Sequence, residues 1–373
     1  MASITPYEVK GALAEKDYQK LIKEFGIQAI TEQLLDRIKK HAKEIHFMLA
    51  RKIFFSHRDL NWLLDEYEKG NKFFLYTGRG PSGKTHIGHI LPWIFTKWLQ
   101  DKFNADLWFQ FTDDEKFMIK PDLDFEKVQS YTYENMLDVI ALGFKPEKTH
   151  FLIDTKHAGI MYKEAIKVAK KITFSNVKAV FGFTDETNIG SIFYTSMQTV
   201  PAFLPSVIAK KNIPCLIPLG IDQDPHFRIT RDILPRLGYY KPAVIHAKFI
   251  SGLKTYGGKM STSDMDSTIW TTDSEEQVRQ KIMKHAFSGG RGNIAEHRKL
   301  GGNPDIDVSY QWLYYLFEPD DRKINEIREN YKNGSLSTSE LKEYLIKKIN
   351  AFLKEHQKKR EAAKKQVDRF VYK

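Results

Sequence analysis

Residues 73–89 read Phe73-Phe74-Leu75-Tyr76-Thr77-Gly78-Arg79-Gly80-Pro81-Ser82-Gly83-Lys84-Thr85-His86-Ile87-Gly88-His89. Four apolar residues lead into a glycine-rich stretch, and two histidines three apart close it. An apolar run that breaks at glycines before an amphipathic stretch reads as a strand, a tight loop and a helix. The same alternation continues outward. Apolar runs recur at Leu107-Trp108-Phe109-Gln110-Phe111, Phe151-Leu152-Ile153, Pro214-Cys215-Leu216-Ile217 and Ala243-Val244-Ile245-His246. Helix-like segments lie between them, near 89–103, 124–142, 158–171 and 225–237. Strands alternating with helices imply an α/β fold, a doubly wound parallel sheet covered on both faces, over residues 71–262. Such sheets bind ligands beyond the carboxyl ends of their strands.

The flanks have another texture. Residues 1–70 read as helical, with Leu21, Ile22 and Phe25, then Leu34, Leu35 and Ile38, at helical spacing. Residues 263–373 read as all-helical. Thr272 with Glu275, and Ser337 with Glu340, have the form of capping boxes. The aromatic run Tyr310, Trp312, Tyr314, Tyr315 and Phe317 reads as core rather than as a stacking surface. The segment with Val367, Phe370 and Val371 is apolar enough to pack back on the α/β region. With 373 residues, 42% of them hydrophobic, the chain has material for a large core and is not a disordered polymer. Its mean hydropathy is −0.46, and no run of roughly 18 apolar residues suggests a membrane span. The first ten residues lack a secretory pattern. One cysteine, Cys215, permits no internal disulfide or cysteine-held metal and fits a reducing, cytoplasmic setting. The net charge of +11 suggests a polyanionic partner. Its excess lies mainly in residues 71–262, with 25 Lys/Arg against 18 Asp/Glu.

Two readings compete for the glycine-rich loop. Gly78 to Thr85 matches the phosphate-cradling pattern G-x-x-x-x-G-K-[ST], which would make the chain a P-loop NTPase. But Gly88 and Pro92 are poor choices for the first turns of the helix such a loop needs. In the competing reading, His86 and His89 carry the chemistry. At i, i+3 they share one face of a helix N-terminus, where free N–H groups and the dipole favour phosphate. Gly88 leaves room for a base or ribose against the backbone. A second motif, Gly257-Gly258-Lys259-Met260-Ser261-Thr262-Ser263, follows the last strand. Its glycines allow movement, and its lysine and hydroxyls suit a phosphate.

The pairing of His-x-Gly-His after the first strand with Lys-Met-Ser-x-Ser after the last resembles the class I aminoacyl-tRNA synthetases. Tyr76 to Ser82, Thr112-Asp113-Asp114-Glu115-Lys116, Ile221 to Arg228, His285 to Arg291 and Phe54 to Asp59 are similar to the tryptophanyl enzymes of the eukaryotic and archaeal type. The likeness covers roughly residues 17–373. It implies a Rossmann-like catalytic domain, followed by a helical anticodon-binding domain over 263–373. It also implies a two-step reaction. L-Tryptophan and ATP give tryptophanyl-adenylate and diphosphate; the amino acid then passes to the 2′-hydroxyl of the terminal adenosine of tRNA(Trp), releasing AMP. By family position the catalytic side chains are His86, His89, Lys116, Lys259 and Ser261. Arg79, Gly80, His86, Gly88, His89, Lys259, Met260, Ser261 and Ser263 are the ATP-binding set. Tyr76, Gln110, Glu115, Gln198 and Gln223 are the tryptophan-binding set. Mg2+ accompanies ATP as substrate, no protein-held metal or tight cofactor is expected, and the family implies a homodimer with no membrane partner. One departure is a shortened link, Gly83-Lys84-Thr85, which makes the P-loop look-alike and leaves Lys84 an accidental match. The tyrosyl enzymes are the near rival. They would want a carboxylate for the phenol, and Tyr76 and Gln110 supply none.

Overall fold

The computed structural model describes residues 3–4, 9–10, 15–258, 260 and 264–373. Strands β1 (Ser3–Ile4) and β2 (Val9–Lys10) form a small antiparallel pair. Seven more form one sheet: β3 (Gln28–Ala29), β4 (Phe54–Arg58), β5 (Phe74–Arg79), β6 (Leu107–Phe111), β7 (Thr149–Ile153), β8 (Cys215–Gly220) and β9 (Ala243–Ala247). Their spatial order is β3-β4-β9-β8-β5-β6-β7. The five strands β5 to β9 are parallel to one another. The chain winds outward from β5 to β7, crosses back to β8 and winds the other way to β9. The order therefore reverses between β5 and β8, which opens a crevice at their carboxyl ends.

The segment 1–70, read as helical, is only partly so. Helices form over Glu15–Glu24, Glu32–Ala42 and Leu60–Glu68, but Phe54–Arg58 is a strand, antiparallel to β9 with Phe54 opposite Ala247. Its partner lies some 190 residues away, so nothing local reveals the pairing. Side chains seal it. Arg58 makes a two-pronged contact with Asp224, at 2.8 and 2.7 Å, and His246 Nε2 lies 2.9 Å from the same carboxylate. Burial alone would raise the Asp224 pKa; the bonds from Arg58 and His246 instead hold it well below the carboxylate range.

Alternation along the strands divides the core into two layers. Leu75, Phe109, Phe111, Phe151 and Leu216 pack on one face, under helix Ile87–Phe103 and helix Phe125–Ala141. Tyr76, Trp108, Leu152, Ile217 and Val244 pack on the other, with helix Ala158–Ala169 and Tyr194. Helix Ile87–Phe103 tolerates Pro92 near its start, where the missing N–H leaves the Gly88 carbonyl without its helical donor.

The C-terminal third is helical among the described residues. Ser337 and Glu340 form the expected capping box of helix Thr338–Ala363. The expected box at Thr272 and Glu275 sits two residues later, at Ser274 and Gln277. The chain turns first: the Asp273 N–H donates to the Trp270 carbonyl at 3.1 Å, Asp273 Oδ2 accepts from the Trp270 N–H at 3.0 Å, and the Thr271 N–H is held by the Thr85 carbonyl at 3.0 Å, so the helix starts only after this turn. Of the aromatic run, Tyr310, Trp312 and Phe317 are buried, and Trp312 Nε1 donates to the Ser251 carbonyl at 2.9 Å. The last helix returns to the α/β layer, where His356 Nε2 and Arg360 Nε lie 3.0 and 2.9 Å from Asp138 Oδ1. Beyond it, Phe370 stacks on Phe151, while Phe370 O and the Tyr372 N–H bracket Phe151 in a strand-like ladder. That ladder covers the edge strand β7. No described helix is long and apolar enough to cross a membrane.

Candidate active site

The first cluster lies where β5 gives way to helix Ile87–Phe103. His86 is the N-cap residue, with extended backbone, and its N–H donates to His89 Nδ1 at 3.2 Å. The two rings stack at 3.6 Å between centroids. Ile87 N–H to Ile269 O, at 3.1 Å, and the Thr271–Thr85 bond clamp this turn to the extended segment around Trp270. Gly88 faces the His86 ring so closely that a Cβ would come within 3.0 Å of it. The phosphate loop of a P-loop NTPase needs its helix to start at the lysine. Here the helix begins at Ile87, Lys84 is exposed, and Thr85 is buried beneath the Thr271 contact. The geometry thus brings the histidines together and leaves Lys84 apart.

A second cluster lies beside it. Lys116 Nζ is 2.8 Å from Glu115 Oε1, and Thr112 Oγ1 donates to Glu115 Oε2 at 2.7 Å. Burial pushes the Glu115 pKa up, but the Lys116 ammonium and these hydrogen bonds outweigh it, and the carboxyl stays ionised. Lys116 arches over Gly80, where a Cβ would collide with its side chain. Arg79 donates through Nε to Asn135 Oδ1 at 3.0 Å, and its Nη2 is buried without a partner among the described residues. Burial lowers the Arg79 pKa to about 10, so it is still a cation at neutral pH.

The third cluster is the deepest. Tyr76 Oη donates to Gln110 Oε1 at 2.6 Å and accepts from Gln198 Nε2 at 2.8 Å. Tyr194 Oη hydrogen-bonds Gln198 Oε1. Parallel register puts Tyr76 beside Trp108 and Gly78 beside Gln110, so all four share one face of the sheet. Gln223 lies across the crevice, in the turn Ile221–Gln223 after β8, and donates to Asp222 Oδ2 at 3.1 Å. Met260 is buried, with its N–H on the Ile250 carbonyl at 3.3 Å. Lys259, Ser261 and Ser263 lie outside the described residues.

Sequence reasoning missed the groups behind this cluster. Both oxygens of Asp154 accept from Gln110 Nε2, each at 2.9 Å, and Asp154 hydrogen-bonds Asp114 in turn. Burial first, and the facing carboxyl second, raise the Asp154 pKa well above the usual range; burial raises that of Asp114 to about 6. Asp154 follows an apolar run, at a strand's carboxyl end and on the face of Gln110. That position was the available signal. His226 was passed over too. Its ring packs against Phe181, with centroids 4.7 Å apart and the planes tilted by 54°, and burial lowers its pKa to about 4.

Comparison with known proteins fits this geometry. The family described as tRNA synthetases class I (W and Y) matches residues 68–354. The chain is 52% identical to the tryptophan–tRNA ligase of Saccharolobus solfataricus, over 99% of this chain and 95% of that one. It is 49% identical to the ligase of the same name from Pyrococcus abyssi, over 99% and 94%. A solved tryptophanyl-tRNA synthetase from Encephalitozoon cuniculi, bound to tryptophan, superposes with a TM-score of 0.88 at 35% identity, over 96% and 98% of the two chains. The one from Giardia lamblia gives 0.90 at 37% identity, over 96% of each. A histidine turn at the switch point, a buried phenol–amide cluster beside it and this likeness along nearly the whole chain agree: the chain belongs to the tryptophanyl branch of the class I tRNA synthetases.

Proposed function

We infer that this protein is a tryptophan–tRNA ligase. It joins L-tryptophan to ATP·Mg2+ as tryptophanyl-adenylate, with release of diphosphate, and transfers the amino acid to the 2′-hydroxyl of the terminal adenosine of tRNA(Trp), with release of AMP. The observation that carries the substrate is the Tyr76–Gln110–Gln198 cluster. Indole presents one N–H donor and no acceptor. Gln110 Oε1, which receives the Tyr76 hydroxyl, has a second lone pair for that donor. A phenol would ask for a carboxylate, and the nearest one behind Gln110, Asp154, is engaged by the Gln110 amide.

The reaction needs no general base for its first step, because the tryptophan carboxylate is already ionised at neutral pH. The enzyme's work is to position reactants and neutralise charge on the triphosphate. His86 and His89 sit at a helix N-terminus and suit the ATP phosphates; Gly88 has no side chain and lets the His86 ring pack against the backbone of that turn. Arg79 and Lys116 are the further cations, with Lys259 of the second motif adding charge and Ser261 and Ser263 adding hydroxyl donors. Glu115, Gln198 and Gln223 suit the α-amino and carboxylate groups of tryptophan.

The functional form is a homodimer in this reading. Tyr162 and Ile166 of helix Ala158–Ala169 and Ile189 of helix Ile189–Met197 are 55, 46 and 83% exposed, on helices joined by the Tyr162–Phe193 ring contact. Large apolar side chains clustered on a surface mark an interface. Tyr162→Asp should give a monomer by light scattering, and an unchanged mass would reject that face. The reaction itself is tested by ATP–diphosphate exchange with each of the twenty amino acids. Exchange with tryptophan alone is expected; exchange with tyrosine instead would overturn the assignment.

A further inference from the structure

The polar side chains under the indole cluster form one chain of hydrogen bonds with a single direction. Tyr194 Oη donates to Gln198 Oε1, Gln198 Nε2 to Tyr76 Oη, Tyr76 Oη to Gln110 Oε1, and Gln110 Nε2 to both oxygens of Asp154. Asp154 and Asp114 close the chain with a hydrogen bond between carboxyls. Tyr76, Gln110 and Asp154 are all buried.

A glutamine amide can turn either end toward a ligand, and the two ends look alike in shape. Facing an indole N–H, the carbonyl end is an acceptor and the amino end a clash of donors. Only a group that demands donors can decide the matter from behind. A carboxyl that accepts twice is such a group. The short chain Tyr76–Gln110 cannot decide it, because a hydroxyl both donates and accepts.

We propose that Asp154, backed by Asp114, is a positioning residue for amino-acid selection: it locks the Gln110 amide so that Oε1 faces the indole N–H. It never touches the substrate. It sets the polarity of the whole chain, and Gln110 and Tyr76 present acceptors as a result. The carboxyl pair suits this role because the one shared proton keeps two buried carboxyls from repelling and points from Asp154 at Asp114, so that toward Gln110 Asp154 offers only lone pairs.

This inference rests on the tryptophan reading, and its test separates the two. The assay is ATP–diphosphate exchange by the full chain with L-tryptophan and with β-(3-benzothienyl)-L-alanine, which replaces the N–H by sulfur. In Asp154→Asn, the introduced amide can donate to Gln110 and let it turn. The preference for tryptophan over the analogue, as a ratio of kcat/KM, should fall about tenfold or more, through KM for tryptophan. Parameters for the analogue should move less than about threefold, since it has no N–H to lose. Asp114→Asn leaves Asp154 an acceptor and should keep the preference. If Asp154→Asn does not yield folded protein, Asp154→Ser is read in the same way. Equal losses for both amino acids, or no change for either, would overturn the proposal and mark Asp154 as a packing residue only. Loss of preference in Asp114→Asn would also overturn it. Failure of the unmutated protein to exchange with tryptophan would instead remove the reading beneath it.

Discussion

Strand β6 shows two faces of the same sheet in adjacent residues. Phe109 and Phe111 point into a layer sealed by helices and by the aromatic rings of Phe151 and Phe370. Trp108 and Gln110 point the other way, into a layer that holds a buried chain of phenols, amides and carboxyls. The first face stabilises by excluding water and filling space. The second gives up some of that stabilisation to keep polar groups buried, each of which must find a partner. In the proposed reading one strand serves stability and amino-acid selection at once, because alternation keeps the two tasks on opposite sides.

The sharpest test of that division is a pair of neighbours. Phe109→Ala should cost about 3–5 kcal/mol in urea unfolding, as a large ring lost from a full core does, while KM for tryptophan in the folded protein stays nearly constant. Gln110→Ala should do the reverse, raising KM at least about tenfold with a smaller loss of midpoint. If the two variants behave alike, the division fails. Next in size is His89→Ala, where helix Ile87–Phe103 leaves the sealed face and enters the site. A loss of about 10²–10³ in exchange rate is expected, as for removal of one charge-stabilising group, with little change in unfolding. Lys84→Ala, on the accidental P-loop match, should leave exchange near that of the parent.

Acid probes both faces together. Burial holds His46, beside Phe95 on the sealed face, and His226, beside Phe181 on the other, to pKa values of about 4. The unfolded chain protonates such rings below about 6.5. Their stabilisation is therefore complete above that pH and is lost as the pH falls toward 4. Each contributes up to about 1.4 kcal/mol per pH unit to the slope, measured as urea stability against pH. His226→Gln and His46→Gln should each flatten it. A slope unchanged in both would show that these rings are not held neutral. The smallest effect is at the tail. Phe370 stacks on the sealed face of β7, and Tyr372 packs on Trp108 on the other, with ring centroids 4.9 Å apart. Tyr372→Ala should cost about 1 kcal/mol, less than Phe370→Ala, because Tyr372 is only partly buried.

Much of this architecture was written locally. The apolar runs of β5 to β9 are short, rich in aromatic and branched residues, and separated by helical patterns, and each becomes a parallel strand. Ser337 and Glu340 cap a helix through contacts three residues apart, so local reading suffices. The histidine turn is legible for the same reason, since His86, Gly88 and His89 act within one turn. β4 was not legible, because its partner β9 comes from the other end of the α/β region. The shifted cap at Ser274 follows a turn over residues 270–273 that the distant Thr85 carbonyl pins through the Thr271 N–H, again a long-range contact.

The alternation of strands and helices, the two phosphate-type motifs and the family are all readable along the chain. These are properties of residue type at short spacing. That Asp154 stands behind Gln110, that Arg58 and His246 hold Asp224 in common, and that the tail covers β7 emerges only in the folded molecule. Those facts depend on burial. An aspartate's charge, partner and purpose change once water is excluded, and which aspartates lose their water is settled only when distant strands come together.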